Sequence, residues 1–223
     1  MRTIGVIHRT YYNRKAFKFA FENFRKFFPE APYVILSDDG DDFSEYANEY
    51  THYLRTNVRA YGTGPKSVWY DRMEVLFDFY YRIKEACEIT KTDYLMLMED
   101  DVYIKNIFHI NEDFDLCGPC RGEISNNMIN FIKRHTSTTE KKFYYGFSGG
   151  AILNCKSFLD NYDNIIESAK KYYKEYSDNL TEPIAMVGDG NLTFHFYLLG
   201  LKYSCSKWLV DGTMTHPFKD YYE

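Results

Sequence analysis

Tyr94-Leu95-Met96-Leu97-Met98-Glu99-Asp100-Asp101 sets five apolar residues directly before three carboxylates. The apolar run reads as a buried strand, and the acids stand where that strand reaches the surface. Adjacent carboxylates repel one another, so concentrating them at such a point is best explained by a divalent cation that binds there. The competing reading is a solvated acidic turn.

Working back towards the first residue, strand and helix alternate. Thr3 to His8 reads as a strand, and Phe17, Phe21, Phe24 and Phe28 recur at helical spacing, which predicts an amphipathic helix closed by Pro29 and Pro32. Tyr33-Val34-Ile35-Leu36 is a short buried strand running into the turn cluster Ser37-Asp38-Asp39-Gly40. From Ser67, the residues Trp69, Met73, Leu76, Tyr80, Ile83 and Cys87 predict a long helix, with Gly64-Pro65 marking its start. Gly62-Thr63-Gly64 lacks the spacing of a phosphate loop and is punctuation at the helix entry. This alternation predicts an α/β fold with a central, mostly parallel sheet flanked by helices. Open sheets of this kind bind ligands beyond the carboxyl ends of their strands, the edge that holds both Ser37-Asp38-Asp39 and Glu99-Asp100-Asp101.

Working forward, Ile107 to Arg134 is of mixed polarity, and Arg134 to Lys142 reads as a mobile polar loop. Tyr145-Gly146-Phe147-Ser148-Gly149-Gly150-Ala151 is a glycine-rich strand region, whose glycines allow another group to approach the backbone. A helix with Phe158, Tyr162, Ile165, Ala169, Tyr172 and Tyr176 on one face follows. Val187-Gly188-Asp189-Gly190 introduces another, bearing Leu192, Phe196 and Leu199, with His195 as a packing residue.

The chain of 223 residues is long enough for one domain, and no internal repeat or linker divides it. Its 22 Tyr and 18 Phe exclude a disordered chain, and a net charge of -5 offers no attraction to a nucleic-acid polymer. No stretch of about 18 apolar residues exists to span a membrane, and no export signal precedes the first strand, which favours a soluble cytoplasmic protein. In that setting the five cysteines are expected to be reduced. Cys117-Gly118-Pro119-Cys120 has the spacing of a redox motif but lacks a helix opening at the first cysteine, so it reads as a turn with two ordinary thiols.

Taken in order, these features resemble the GT-A family of nucleotide-sugar-dependent glycosyltransferases across most of the chain. Glu99-Asp100-Asp101 resembles its DXD metal motif, Gly146 to Gly150 its glycine-rich loop, Gly188-Asp189 its later acidic motif, and His216 its carboxy-terminal metal ligand. Glu99 departs from the first Asp of the strict motif, and Gly188 stands where many members have Glu. The resemblance implies a Rossmann-like GT-A fold in one domain, 1–223, with 1–105 binding the donor and 106–223 the acceptor. It also implies transfer of a hexose-type sugar from a UDP- or GDP-sugar to a hydroxyl of a glycan or glycoprotein, with Mn²⁺ or Mg²⁺ as cofactor. Alternatives are a non-catalytic nucleotide- or sugar-binding module and a sugar nucleotidyltransferase. The bias towards Phe, Tyr, Asn and Lys is that of AT-rich coding and fits a microbial or viral source.

Within this resemblance Asp101 is the direct metal ligand, with Glu99 and His216 completing the set. Alternation along an extended chain puts residues 99 and 101 on one face and Asp100 on the other. The donor is expected to meet His8, Arg9, Thr10 and Tyr11 at the end of the first strand, and Asp38 and Asp39 beyond the second. Arg72, Glu99, Asp100, Gly149, Gly150 and Lys219 complete the donor contacts. Asp189 is the candidate base that takes the acceptor hydroxyl's proton in an inverting displacement.

Overall fold

The apolar run does form a strand at the centre of a sheet. The computed structural model describes residues 2–11, 13–38, 40–57, 73–118, 120, 122–146, 149–176, 188–206 and 214–215. In chain order the elements are β1 (Ile4–Thr10), α1 (Arg14–Phe27), β2 (Tyr33–Asp38), β3 (Thr51–Thr56), α2 (Met73–Thr90) and β4 (Tyr94–Glu99). They continue with β5 (Tyr103–Ile104), β6 (Leu116–Gly118), β7 (Gly122–Glu123), α3 (Asn126–His135), β8 (Tyr144–Tyr145) and β9 (Ile152–Asn154). The last are α4 (Cys155–Tyr176), α5 (Gly188–Leu198), β10 (Tyr203–Cys205) and β11 (Met214–Thr215).

Seven strands form the main sheet in the order β10-β6-β9-β4-β1-β2-β3. β3, β2, β1 and β4 are mutually parallel, whereas β9 runs antiparallel to both β4 and β6. Period-two alternation sorts β4 between two cores. Leu95 and Leu97 join Ile7, Leu36 and Leu153 beneath Leu76, Phe79 and Ile83 of α2, Phe158 and Ile165 of α4, and Leu192 and Phe196 of α5. Met96 and Met98 join Val6, Ile35 and Ile152 beneath Phe17, Ala20 and Phe24 of α1. Complete burial of one such phenylalanine contributes about 2–3 kcal/mol. A third cluster packs Met128, Phe131 and Ile132 of α3 against Tyr172 and Phe194.

Helix α1 is fixed at both ends. Asn13 caps it by accepting from Ala16 N, and Arg25 in its last turn donates to Pro29 O, Ala31 O, Tyr50 O and Thr51 Oγ1, closing the corner into β2 and β3. In the middle, buried Asn23 acts as a strand partner: its Nδ2 donates to Ile104 O at 2.9 Å and its Oδ1 accepts from Ile104 N at 2.7 Å. This ties β5, just beyond the acidic tripeptide, to α1.

Several expectations change. The long helix is described only from Met73, so its expected start, and Arg72, lie outside the described residues. Arg134 and His135 belong to α3 rather than to a loop, and Arg134 pairs with Glu175 of α4. Cys120 and Cys205 form a disulfide with Cα atoms 5.4 Å apart, correcting the expectation of reduced thiols. The cause is sheet pairing: β10 lies parallel to β6 with Cys205 opposite Gly118, which carries Cys205 to the residue two further on. Such bridges persist in oxidising surroundings, which runs against a reduced, cytoplasmic chain. Cys87, Cys117 and Cys155 are buried free thiols. No helix among the described residues is long and apolar enough to cross a membrane.

Two tests follow from this packing. The bridge closes a loop of sequence separation 85, so Cys205→Ser, or reduction, is expected to lower unfolding free energy by about 4–5 kcal/mol. Melts with and without reductant measure this, and superimposable curves refute it. His195 is wholly buried beside Ser168, and burial lowers its pKa from 6.5 to about 3. The unfolded chain therefore binds a proton that the folded chain refuses between these values, so stability is lost as pH falls below 6.5. Urea unfolding at pH 7 and pH 5 should differ by about 2 kcal/mol from this group alone. His195→Leu should remove that component.

Candidate active site at the carboxyl edge of the sheet

β1 is the point at which strand order reverses. β2 lies to one side of it, reached through α1 on one face, and β4 lies to the other, beyond α2 on the opposite face. A sheet opens a crevice beyond its carboxyl edge at such a reversal. Register brings Arg9 opposite Glu99 and Thr10 opposite Ser37 at that edge. An open groove of about 1510 Å³ lies at the other end of the strands, around Arg2, Ile4, Phe28, Asp93 and Ile107. The paired acids and the glycines are not among its lining residues, so size alone does not select it.

At the crevice β4 stops at Glu99, and the chain turns through Asp100 and Asp101 with Val102 N donating to Glu99 O at 3.0 Å. Strict alternation therefore ends before Asp101, and the strand cannot by itself pair residue 101 with residue 99. Asp100 is 4 % and Asp101 7 % exposed. Asp100 turns to the α1 face, where Oδ1 lies 2.8 Å from His8 Nε2 and Oδ2 accepts from Thr10 Oγ1 at 3.2 Å. His8 Nδ1 lies 2.5 Å from Tyr33 Oη. Burial raises the Tyr33 pKa well above the usual phenol value, so the phenol keeps its proton and is able to donate.

The residues at the end of β1 are thus enclosed. His8 and Thr10 reach inward to Asp100 instead of lining open space, and Arg9 is buried with its guanidinium over the Phe79 ring at 4.6 Å. Tyr11 is half-buried, and its carbonyl accepts from Asp41 N at 2.7 Å. Gly40 lies so close to that carbonyl that a Cβ would sit 1.8 Å from Tyr11 O, so the loops after β1 and β2 are stitched together. Asp38 ends β2 opposite Thr56, while its side chain and all of Asp39 lie outside the described residues.

The glycine-rich segment arrives from the antiparallel side. Leu97 N donates to Ala151 O and Gly150 N to Leu97 O, and Gly150 has φ 88, which glycine adopts at no steric cost. A Cβ on Gly149 would stand 2.8 Å from Glu99 Oε2 and 2.6 Å from Val102 Cγ2. The segment is also tied to α5, since Gly146 N donates to Thr193 Oγ1 and Tyr144 N to Tyr197 Oη. Asp189 falls in the first turn of α5, but its side chain is outside the description. β11 pairs antiparallel with β5, Thr215 opposite Tyr103, so the chain returns beside the acidic turn at the residue before His216. His216 and Lys219 lie outside the described residues.

Among the described residues no group of three or more His, Cys, Asp or Glu side chains is arranged to hold a metal ion. Glu99 and Asp101 nevertheless offer hard carboxylate oxygens, the donor chemistry that suits Mg²⁺ or Mn²⁺, and Glu99 packs directly against Gly149. Tyr33 was absent from the residues expected at this site. It lies inside an apolar strand and carries no local signal, whereas a histidine within Ile4-Gly5-Val6-Ile7-His8 was an available one.

No protein-family model matches the sequence, and no curated protein matches it. Solved structures of the galactosyltransferase LgtC, one in complex with donor and acceptor sugar analogs and one an active-site mutant, are similar in fold. Each is 12% identical with a TM-score of 0.52, covering 92% of this chain and 73% of that chain. The fold is that of the GT-A glycosyltransferases.

The close approach at Gly149 gives a test. Gly149→Ala must displace Glu99 or Val102, so the melting temperature should fall by a few degrees. A thermal melt measures this, and an unchanged midpoint would show that the glycine is not needed for the contact.

Proposed function

We propose that the protein is a metal-dependent glycosyltransferase that moves a hexose-type sugar from a UDP- or GDP-sugar to a hydroxyl of a glycan or glycoprotein. The observation that carries this reading is the convergence, at the strand-order reversal, of the Glu99–Val102 turn, Gly149 and the returning β11. The likeness to an enzyme crystallised with donor and acceptor sugar analogs supports it.

In this reading Asp101 and Glu99 hold the cation, with His216 joining them from the residue after β11. When bound, Mn²⁺ or Mg²⁺ supplies Lewis-acid neutralisation of the charge that builds on the departing diphosphate. Tyr11, Asp38 and Asp39 bind the nucleoside end of the donor, while Arg72 and Lys219 meet its phosphates or sugar. Gly149 and Gly150 keep the backbone low enough for the donor sugar to approach. Arg9, packed on Phe79, contributes positive charge behind this surface.

Asp189 takes the proton of the acceptor hydroxyl as its oxygen attacks the anomeric carbon. The bond from that carbon to the diphosphate oxygen breaks, and the anomeric configuration inverts. Tyr144 and Tyr197 link the glycine-rich segment to α5, so the acceptor base and the donor floor share one support.

A panel of UDP- and GDP-sugars with Mn²⁺, followed by NMR of the product's anomeric proton, tests donor and stereochemistry together. Asp101→Ala should lower turnover by about 100-fold or more. Turnover unchanged in that variant sinks the assignment. Donor affinity equal with and without Mn²⁺, with no nucleotide release to any acceptor, identifies a binding module instead.

A further inference from the structure

We infer that His8 is a positioning residue for the acidic turn: one imidazole tautomer, fixed by Tyr33, pins Asp100 and thereby sets where Glu99 and Asp101 stand. What the turn holds rests on the functional reading above; the pin itself does not.

An imidazole is out of place where His8 lies. Val6 and Ile7 before it are buried aliphatic residues, and the ring, itself 0 % exposed, packs 4.8 Å from the Phe17 ring. Such a group loses its hydrogen bonds to water, a costly loss unless both ring nitrogens find partners. Both do. A carboxylate only accepts, so the nitrogen facing Asp100, Nε2, carries the proton. In the neutral ring Nδ1 is then the acceptor and the Tyr33 phenol its donor. Tyr33 is itself held on the far side by Arg25, whose guanidinium lies 5.0 Å from its ring centroid.

Asp100 therefore has one oxygen on His8 and the other on Thr10, two side chains of the same strand. With residue 100 held from below and Val102 N bonded to Glu99 O, the turn has a fixed seat on β1. Removing the imidazole takes a donor from a buried carboxylate, and the turn is then expected to shift towards water. That movement displaces the residues on either side, although His8 touches neither a cation nor a donor. The middle acid is thus an anchor and the flanking pair forms the working surface.

The test has two arms. In the first, long-range ¹⁵N–¹H NMR reports the His8 tautomer, and hydrogen exchange reports protection of the Val102 amide. We expect the Nε2–H form in the wild type and loss of Val102 protection by about tenfold or more in His8→Phe, the worth of one hydrogen bond to a charged group. His8→Gln, whose amide can donate to Asp100 and accept from Tyr33, should recover most of it. Tyr33→Phe, nearly isosteric, gives the same reading if His8→Phe does not fold, and should release the fixed tautomer. An Nδ1–H form, or Val102 protection unchanged in both His8→Phe and Tyr33→Phe, overturns the proposal whatever the protein binds.

In the second arm, calorimetric titration with Mn²⁺ and UDP should show His8→Phe weakened about tenfold and His8→Gln largely rescued. Asp100→Asn should be less harmful than Asp101→Asn by about the same factor. Affinity unchanged in a folded His8→Phe overturns the positioning role. A wild type that does not bind Mn²⁺ with UDP overturns the functional reading, and the first arm then decides His8 alone.

Discussion

The parallel pairing of β1 with β4 is the constraint on which the rest of the molecule depends. Its register runs from Ile4 opposite Tyr94 to Arg9 opposite Glu99, and both strands are buried on two faces. A slip of one residue would exchange every side chain of β4 between the α1 and α2 faces. Met98 would then meet the core of Phe79 and Leu76, and Asp100 would lose His8. Burial of the apolar run thus fixes the acids as firmly as any polar contact does. The energy that holds the turn comes largely from residues that never touch it.

Support for the turn is divided between the two faces. Towards α1, Tyr33, His8 and Thr10 form a chain of hydrogen bonds ending on Asp100, and Asn23 pairs with Ile104 just beyond. Towards α2, Arg9 lies on Phe79, and Glu99 lies over Gly149. One side is held by directional bonds, while the other packs Glu99 and Val102 so closely on a glycine that no Cβ would fit there.

The β-α-β opening, the amphipathic α1 and the surfacing of β4 at its acids were legible in the sequence because each rests on apolar periodicity. β3 was not, since Thr51-His52-Tyr53-Leu54-Arg55-Thr56 is an outer strand whose buried residues are its two threonine ends. β6 has only Leu116, Cys117 and Gly118, too short for any period. α3 did carry a signal, with Ser125 capping Met128 N and an apolar stripe at Met128, Phe131 and Ile132, but its polar composition concealed it. The location of the candidate site followed from the strand ends. The task of His8 did not, because a bond between residues 92 apart leaves no local pattern. The bridge from Cys120 to Cys205 was hidden for the same reason: only the pairing of β10 with β6 makes these residues neighbours.

That bridge has a topological effect beyond its contribution to stability. It encloses β7, α3, β8, β9, α4, α5 and β10 in one covalent ring, while β1 to β4, which lead to the acids, lie wholly outside it. A single peptide bond broken by a protease inside the ring would leave two polypeptides joined as one particle, with every strand of the acidic edge still continuous. After reduction only sheet pairing and core packing would hold them together. The strands that hold the acids thus keep an unbroken backbone when the chain is cut inside the ring.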